Sequence, residues 1–282
     1  SILAEACLFC YIAAMLEEKI PCSVEILTFN SAKNLKRCLA SVQEFTEVII
    51  LDGGSTDDTI SIARRFGARI VSQREDGKVG PIEDFSAVRN RGMHLAKLPW
   101  LFYLDSDEYA SKELVEEIGM VIEKKDGYAA AYLVPRLYVL EGTVITAAAT
   151  YPNYQRRFFY IPDVTGFEKK VHEQVKVKEG HTIGTLHAPL YVPLPPLTEL
   201  KEKSRKYLTI QIAHTKATPE RIFRSFWANG VKFLKYLIKY FRALFFGRGR
   251  RMPLAYEWEN AWYHLRLPFA LMMKGHNRNR HD

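Results

Sequence analysis

Trp100-Leu101-Phe102-Tyr103-Leu104-Asp105-Ser106-Asp107-Glu108 is an apolar, aromatic run that ends in three carboxylates within four residues. A short apolar run of this kind reads as a buried strand, and the C-terminal ends of parallel strands are where α/β sheets gather their ligands. Working outward, residues 23–29, 47–51 and 68–72 read as three further strands. Helical spacing appears between them at 32–42, where Leu35, Leu39 and Val42 share a face, and at 83–95. Another helix runs from a cap among Ser55, Thr56 and Asp57 to Phe66, with Gly67 as its terminator, and a last one spans 111–123. This alternation predicts an α/β fold with a Rossmann-like, mostly parallel sheet. Thr28 and Asn30 then follow the first strand, Asp52 ends the second, and Asp105 and Asp107 end the fourth, so distant stretches converge on one crevice. After Gly127, residues 128–135, 157–161 and 171–177 read as strands without helices between them, an antiparallel extension. Four prolines within 189–196 suggest a stiff connector, and the chain beyond it reads as helical.

The chain has 282 residues, 48% of them hydrophobic and 12% aromatic, which excludes a disordered, collagenous or coiled-coil chain. Its net charge of +8 is unevenly placed. Residues 1–197 carry 22 basic and 26 acidic side chains, whereas 198–282 carry 18 and 6. The organisation expected is an N-terminal apolar segment over 1–22, a catalytic domain over 23–197 and a basic helical region over 198–282. The excess in that last region points to an anionic partner, a membrane surface or a nucleic acid. No helix-turn-helix, zinc-finger or RNA-recognition pattern is present, so nucleic acid is not expected. The four cysteines, Cys7, Cys10, Cys22 and Cys38, are too few for a disulfide scaffold and suit a reducing cytosol. Cys7 and Cys10 sit within the apolar run 6–16, as buried helix cysteines would. That run is too short to span a bilayer, and no Lys or Arg precedes it, so neither a secretory signal nor a membrane span is expected.

Closely grouped carboxylates repel unless a cation neutralises them. The Asp105-Ser106-Asp107 pattern therefore suits Mg²⁺ or Mn²⁺, and equally a solvated acidic loop that opens a helix. In Asp52-Gly53-Gly54-Ser55-Thr56-Asp57, paired glycines allow close approach of a ligand to the backbone, and Asp52 is placed to accept a hydrogen bond from a base or ribose. No G-x-G-x-x-G follows a strand and no P-loop pattern occurs, which disfavours a dinucleotide fold and a P-loop enzyme.

Four segments taken together resemble the family 2 glycosyltransferases in order and spacing. They are Leu27-Thr28-Phe29-Asn30, Leu51 through Asp57, Asp84-Phe85 with Arg89-Asn90, and Leu104 through Glu108. Tyr151 through Phe158, Val171-His172-Glu173 and Leu186-His187 are similar to the subgroup with lipopolysaccharide core glucosyltransferases of the WaaE type. The resemblance implies a GT-A fold, a nucleotide-sugar donor, Mg²⁺ or Mn²⁺, and inverting transfer to a lipid-linked or glycan acceptor. By match, Thr28, Asn30 and Asp52 line the nucleotide, Asp84 shapes that wall, and Arg89 lies near ribose or diphosphate. Asp105 faces the ribose or the metal's water shell, Asp107 binds the metal, and His187 completes its coordination. Glu173 is the candidate base for the acceptor hydroxyl; His172 is the alternative base or holds Glu173 in position. Arg157 is assigned to acceptor or phosphate. The Q-x-x-R-W element of processive synthases is absent, which implies single-sugar transfer. A polyprenyl-phosphate sugar transferase and a non-catalytic nucleotide-sugar or nucleic-acid binding module remain as alternatives.

In the basic region, residues 221–246 read as one helix of about seven turns, weakened at Asn229-Gly230. Lys232, Lys235, Lys239 and Arg242 share a face, with large apolar residues around the rest and Arg248, Arg250 and Arg251 following. This pattern predicts a helix lying on an anionic membrane, hence a cytoplasmic enzyme peripheral to the inner membrane. Residues 258–271 suggest a further apolar helix interrupted at Pro268.

Overall fold

The computed structural model describes residues 19–77, 79, 80, 82, 84–124, 126–168, 173–215 and 218–278. The apolar run with Cys7 and Cys10, the helix start at Glu83, and Val171-His172 lie outside the described residues. The chain divides into two compact units, one of residues up to 136 with 154–192, the other of 137–153 with 193–282. The second unit is thus more than the basic C-terminal region, because an internal segment joins it.

In the first unit, β1 (Ile20–Thr28), α1 (Ala32–Ala40), β2 (Phe45–Asp52), α2 (Thr59–Arg65), β3 (Arg69–Ser72), α3 (Phe85–Leu95) and β4 (Trp100–Asp105) alternate as expected. Then come β5 (Tyr109–Ala110), α4 (Lys112–Glu123), β6 (Ala131–Leu140, which runs on into the second unit), β8 (Tyr154–Tyr160), β9 (Val164–Glu168), β10 (Gln174–Val177), β11 (Ile183–Thr185) and β12 (Leu190–Pro193); β7 (Thr143–Val144) belongs to the second unit. The strands β3, β2, β1 and β4 lie side by side and parallel, and antiparallel β8 and β6 extend them. This is the α/β architecture with an antiparallel extension that the sequence predicts. The central strands are apolar on both faces because helices cover both: Val24, Ile26, Ile50, Phe102 and Leu104 are buried in the main core. Each such side chain contributes about 1.5–3 kcal/mol on burial. Cys22 and Cys38 are buried free thiols in that core.

The structure departs from the sequence expectation at two places. The proline-rich segment is not merely a connector, since Leu190 and Tyr191 pair antiparallel with Ala110 and Tyr109. Pro193 is the last residue of β12, beyond Leu190 and Tyr191, so the pairing with β5 needs no N–H from it. The cap of α2 is Asp58 at the next position along, while Asp57 accepts hydrogen bonds from the Thr59 N–H and, at 3.1 Å, from the Ala32 N–H.

The second unit contains α5 (Leu197–His214), α6 (Pro219–Phe246) and α7 (Leu254–Arg278). Thr218 caps α6, accepting from the Arg221 N–H. The helix runs unbroken through Asn229-Gly230, where the Asn229 amide donates back to the Ser225 carbonyl at 2.9 Å. Likewise α7 continues through Pro268 rather than stopping there. Leu140, Ile145, Ala148, Met252 and Tyr256 form one core of this unit, and Ala149, Tyr236 and Ala261 a second.

Candidate active site

Parallel register brings the strand ends together. Thr28 of β1 lies opposite Asp52 of β2, and Leu27 lies opposite Asp105 of β4. The Thr28 hydroxyl donates to Asp52 Oδ1 at 2.8 Å. Asp52 also accepts from the N–H groups of Gly54 and Ser55, both at 2.8 Å, and from the Ser55 hydroxyl at 2.6 Å. Both its oxygens therefore build the turn as well as lining the end of β2. The glycines have an internal cause too. A Cβ on Gly53 would lie 2.8 Å from the Gln73 side-chain oxygen, and one on Gly54, at φ +89°, would lie 2.4 Å from Val79. Gln73, which the sequence reading missed, donates its amide to the Thr28 and Leu51 carbonyls at 2.9 and 3.1 Å. Asn30, itself at φ +50°, clasps the same turn by accepting from the Thr56 N–H at 2.9 Å. Asp84 caps α3 by accepting from the Ala87 N–H, and it lines a cavity of about 480 Å³ with Gln73, Gly80, Val88 and Arg91.

Below this rim lies a chain of alternating charges. Arg89 is fully buried; its guanidinium donates to Glu25 Oε1 at 3.2 Å and Asp105 Oδ1 at 2.6 Å, and its Nε is 3.7 Å from Glu173 Oε1. Arg157, also buried, donates to Asp105 Oδ2 at 3.0 Å and Glu108 Oε1 at 3.2 Å, and Arg136 pairs with Glu108. Both Arg89 and Arg157 stack against Tyr103, each 4.6 Å from the ring centroid. Arg89 and Arg157 thus both stand behind Asp105, the carboxylate that the resemblance turns toward the ribose or the metal's water shell. Both hold Asp105 through Nη2, while Arg89 Nε and Arg157 Nε and Nη1 are buried without a hydrogen-bond partner among the described residues. Burial alone would raise the Asp105 carboxyl, but Arg157 and then Arg89 outweigh it and hold it well below the usual carboxylate range. Burial pushes the Glu108 carboxyl up despite its arginines. Burial pushes Glu25 up to about 7, with Arg89 opposing and Glu173 and Asp105 adding to the rise. Glu25 Oε2 is buried without a hydrogen-bond partner among the described residues, which accords with a carboxyl that holds its proton easily.

Asp105 keeps 43% of its side chain exposed, and Asp107 is exposed beside it. Glu173 enters just before β10 and is 16% exposed. Its hairpin is tied to α3 by Asn90, whose side chain donates to the Phe167 carbonyl at 3.0 Å and accepts from the Phe167 N–H at 2.7 Å. Asn90 thereby locates Glu173 over the Arg89 network.

His187 is not brought to the carboxylate turn. The β5–β12 register, Ala110 against Leu190, carries the chain at His187 past Ser111, in the direction away from Asp107. Its ring is 89% exposed and Nδ1 lies 3.1 Å from Glu117 of α4. Among the described residues no three His, Cys, Asp or Glu side chains are grouped to hold a metal. The oxygen donors of Asp107 and Asp105 nevertheless fit a hard cation of the Mg²⁺ or Mn²⁺ kind, which takes one or two carboxylates and completes its shell with water and substrate phosphate.

The model of "Glycosyl transferase family 2" matches residues 23–172, more than half of the chain. The SPbeta prophage-derived glycosyltransferase SunS of Bacillus subtilis strain 168 is 32% identical over 150 residues, covering 53% of this chain and 33% of that protein. An uncharacterized glycosyltransferase of Rickettsia conorii is 36% identical over 118 residues, covering 41% and 39%. The chain thus spans well under half the length of these relatives. Among solved structures, S. aureus TarS 1-349 aligns with a TM-score of 0.46 at 19% identity, over 88% of this chain and 81% of that one.

Proposed function

The chain belongs to glycosyl transferase family 2, and on that premise we propose that its first unit moves a sugar from a nucleotide-sugar donor to an acceptor hydroxyl with inversion at the anomeric carbon. The observation that carries this reading is the common rim of Thr28, Asp52 and Asp105, to which Arg89 joins Glu173. The nucleotide lies against the turn built by Asp52 and Asn30 and against the Asp84-lined cavity. Asp105, kept ionised by two arginines, accepts from a ribose hydroxyl with the lone pairs its arginines leave free. Asp107, with Asp105, would hold Mg²⁺ or Mn²⁺. When bound, that ion supplies charge neutralisation for the departing nucleoside diphosphate. As the bond from C1 to the diphosphate oxygen breaks, the bond from C1 to the acceptor oxygen forms on the opposite face, and the acceptor's proton passes to Glu173. His172 is the other candidate for that proton.

The acceptor is lipid-linked or a membrane-associated glycan, of the lipopolysaccharide core type or similar, reached from the cytoplasmic face. What supports this is α6. At 100° per residue, Phe223, Trp227, Leu234, Ile238, Phe241 and Phe245 fall within one narrow exposed stripe, beside the row of Lys235, Lys239 and Arg242. No helix among the described residues is long and apolar enough to cross a membrane. An exposed apolar stripe edged by cations suits insertion at an anionic lipid surface.

Two experiments test the proposal. Thermal shift with a panel of UDP-, GDP- and dTDP-sugars plus Mn²⁺ should raise the melting temperature for one nucleotide class, and no shift with any of them would contradict the donor assignment. In flotation with anionic vesicles, Trp227→Ser with Phe245→Ser should release the protein from the lipid; undiminished flotation would remove the membrane reading.

A further inference from the structure

The second unit has a cavity of its own, of about 570 Å³, within the range of small-molecule sites. Lys232, Lys235 and Lys239 line it, at spacings of three and four that bring one face of α6 toward it. Asn153 and Asn260 also line it, and no carboxylate does among the described residues. The nearby Glu257 is buried and already committed: it accepts from the Ala149 N–H at 2.9 Å and from the Tyr236 hydroxyl. A second observation is independent of the lysines. Thr150 lines the same cavity, and its hydroxyl oxygen, turned away from solvent, has no hydrogen-bond partner among the described residues; a χ1 rotation that brings it to the cavity therefore breaks no bond. Natural structures rarely leave such an atom unpaired. His264 stands at the wall with its pKa lowered, first by burial and then by the Lys232 charge.

We infer that this cavity binds the phosphate group of a mono- or diphosphate ester, held by Lys232, Lys235 and Lys239 and by the Thr150 hydroxyl. Ammonium groups are point charges that suit phosphate oxygens, and a threonine hydroxyl donates to one at the cost of little ordering. The volume leaves room for more than the phosphate, and Tyr236 and Tyr263 provide aromatic walls for the remainder. The phosphate belongs either to a lipid headgroup, which the adjoining apolar stripe of α6 would bring close, or to a soluble phosphorylated compound. The inference is independent of the donor-site reading, because every lining residue lies in the second unit.

The test is calorimetric titration of the full chain with inorganic pyrophosphate in EDTA, so that no divalent ion is loaded. Lys235→Ala with Lys239→Ala should weaken binding about tenfold or more, and Thr150→Val about fivefold. Arg242→Ala removes one charge from α6 outside the cavity lining and should leave the affinity within about twofold. Any pyrophosphate held by the first unit contributes equally to all four proteins. Thr150→Val keeps the shape of the side chain, so it remains informative should the double variant unfold. Equal affinity for wild type and Thr150→Val, or an equal loss in Arg242→Ala, would overturn the inference in favour of diffuse attraction to a basic helix. Flotation with vesicles of equal parts phosphatidylglycerol and phosphatidylcholine separates the sources. A parallel loss in Thr150→Val, which keeps every cation of α6, assigns a lipid headgroup, and unchanged flotation of Thr150→Val beside weakened pyrophosphate binding assigns a soluble ligand.

Discussion

Replacing Glu25 with glutamine probes the charge network on which the candidate site stands. Glu25 is buried within β1, and its partner Arg89 also holds Asp105 and approaches Glu173. Burial moves its pKa from 4.5 to about 7. The folded protein therefore binds this proton more tightly than the unfolded chain does. Its contribution to stability is fully present below the ordinary glutamate range and is lost as pH rises through about 7. A shift of that size corresponds to about 3 kcal/mol. Glutamine has nearly the same shape and does not titrate. Urea unfolding of wild type and Glu25→Gln from about pH 4 to about pH 8 should thus show the wild type losing about 3 kcal/mol relative to the variant, with slopes unchanged. A difference that stays flat, or that turns in favour of the wild type as pH rises, would refute the reasoning. It would mean that Glu25 is ionised throughout and that Arg89 outweighs burial.

Two further outcomes follow from the geometry. Gly166 has φ +117° and a Cβ there would lie 2.7 Å from Asn90 Oδ1, so Gly166→Ala should cost about 1–3 kcal/mol in chemical denaturation and lower kcat by displacing the Glu173 hairpin. His187→Ala should leave Mn²⁺ affinity, read by calorimetry, within about twofold, because the ring pairs with Glu117 on the far side of β5; a loss of tenfold would return His187 to the metal site.

The strand ends were legible because each apolar run stops at a polar residue, and parallel pairing of neighbours then brings Thr28, Asp52 and Asp105 together. The roles of Arg89 and Arg157 were not legible. Their guanidinium groups bond to Glu25, Asp105 and Glu108, which come from three separate strands or turns. One signal was available: Glu25 interrupts an apolar strand, and a charge in that setting requires a buried partner. His187 went astray because a motif match carries no register, and the β5–β12 pairing is what directs it away. In α6 the helical period marked the lysine row. It did not separate Phe233, half-buried against Tyr236 and Ala261, from Leu234 and Ile238, which are exposed. That distinction depends on where α7 packs.

The most direct test of the central claim is cleavage of the cognate nucleotide sugar with Mn²⁺ by wild type, Asp107→Ala and Glu173→Gln. Release of the nucleoside diphosphate and transfer to added acceptor are followed together. The account predicts that Asp107→Ala loses both, about a hundredfold or more, as removal of a charge-stabilising group does. It predicts that Glu173→Gln loses transfer by about 10²–10⁴-fold, as removal of a general base does, while still binding donor. Full transfer activity in both variants would contradict it.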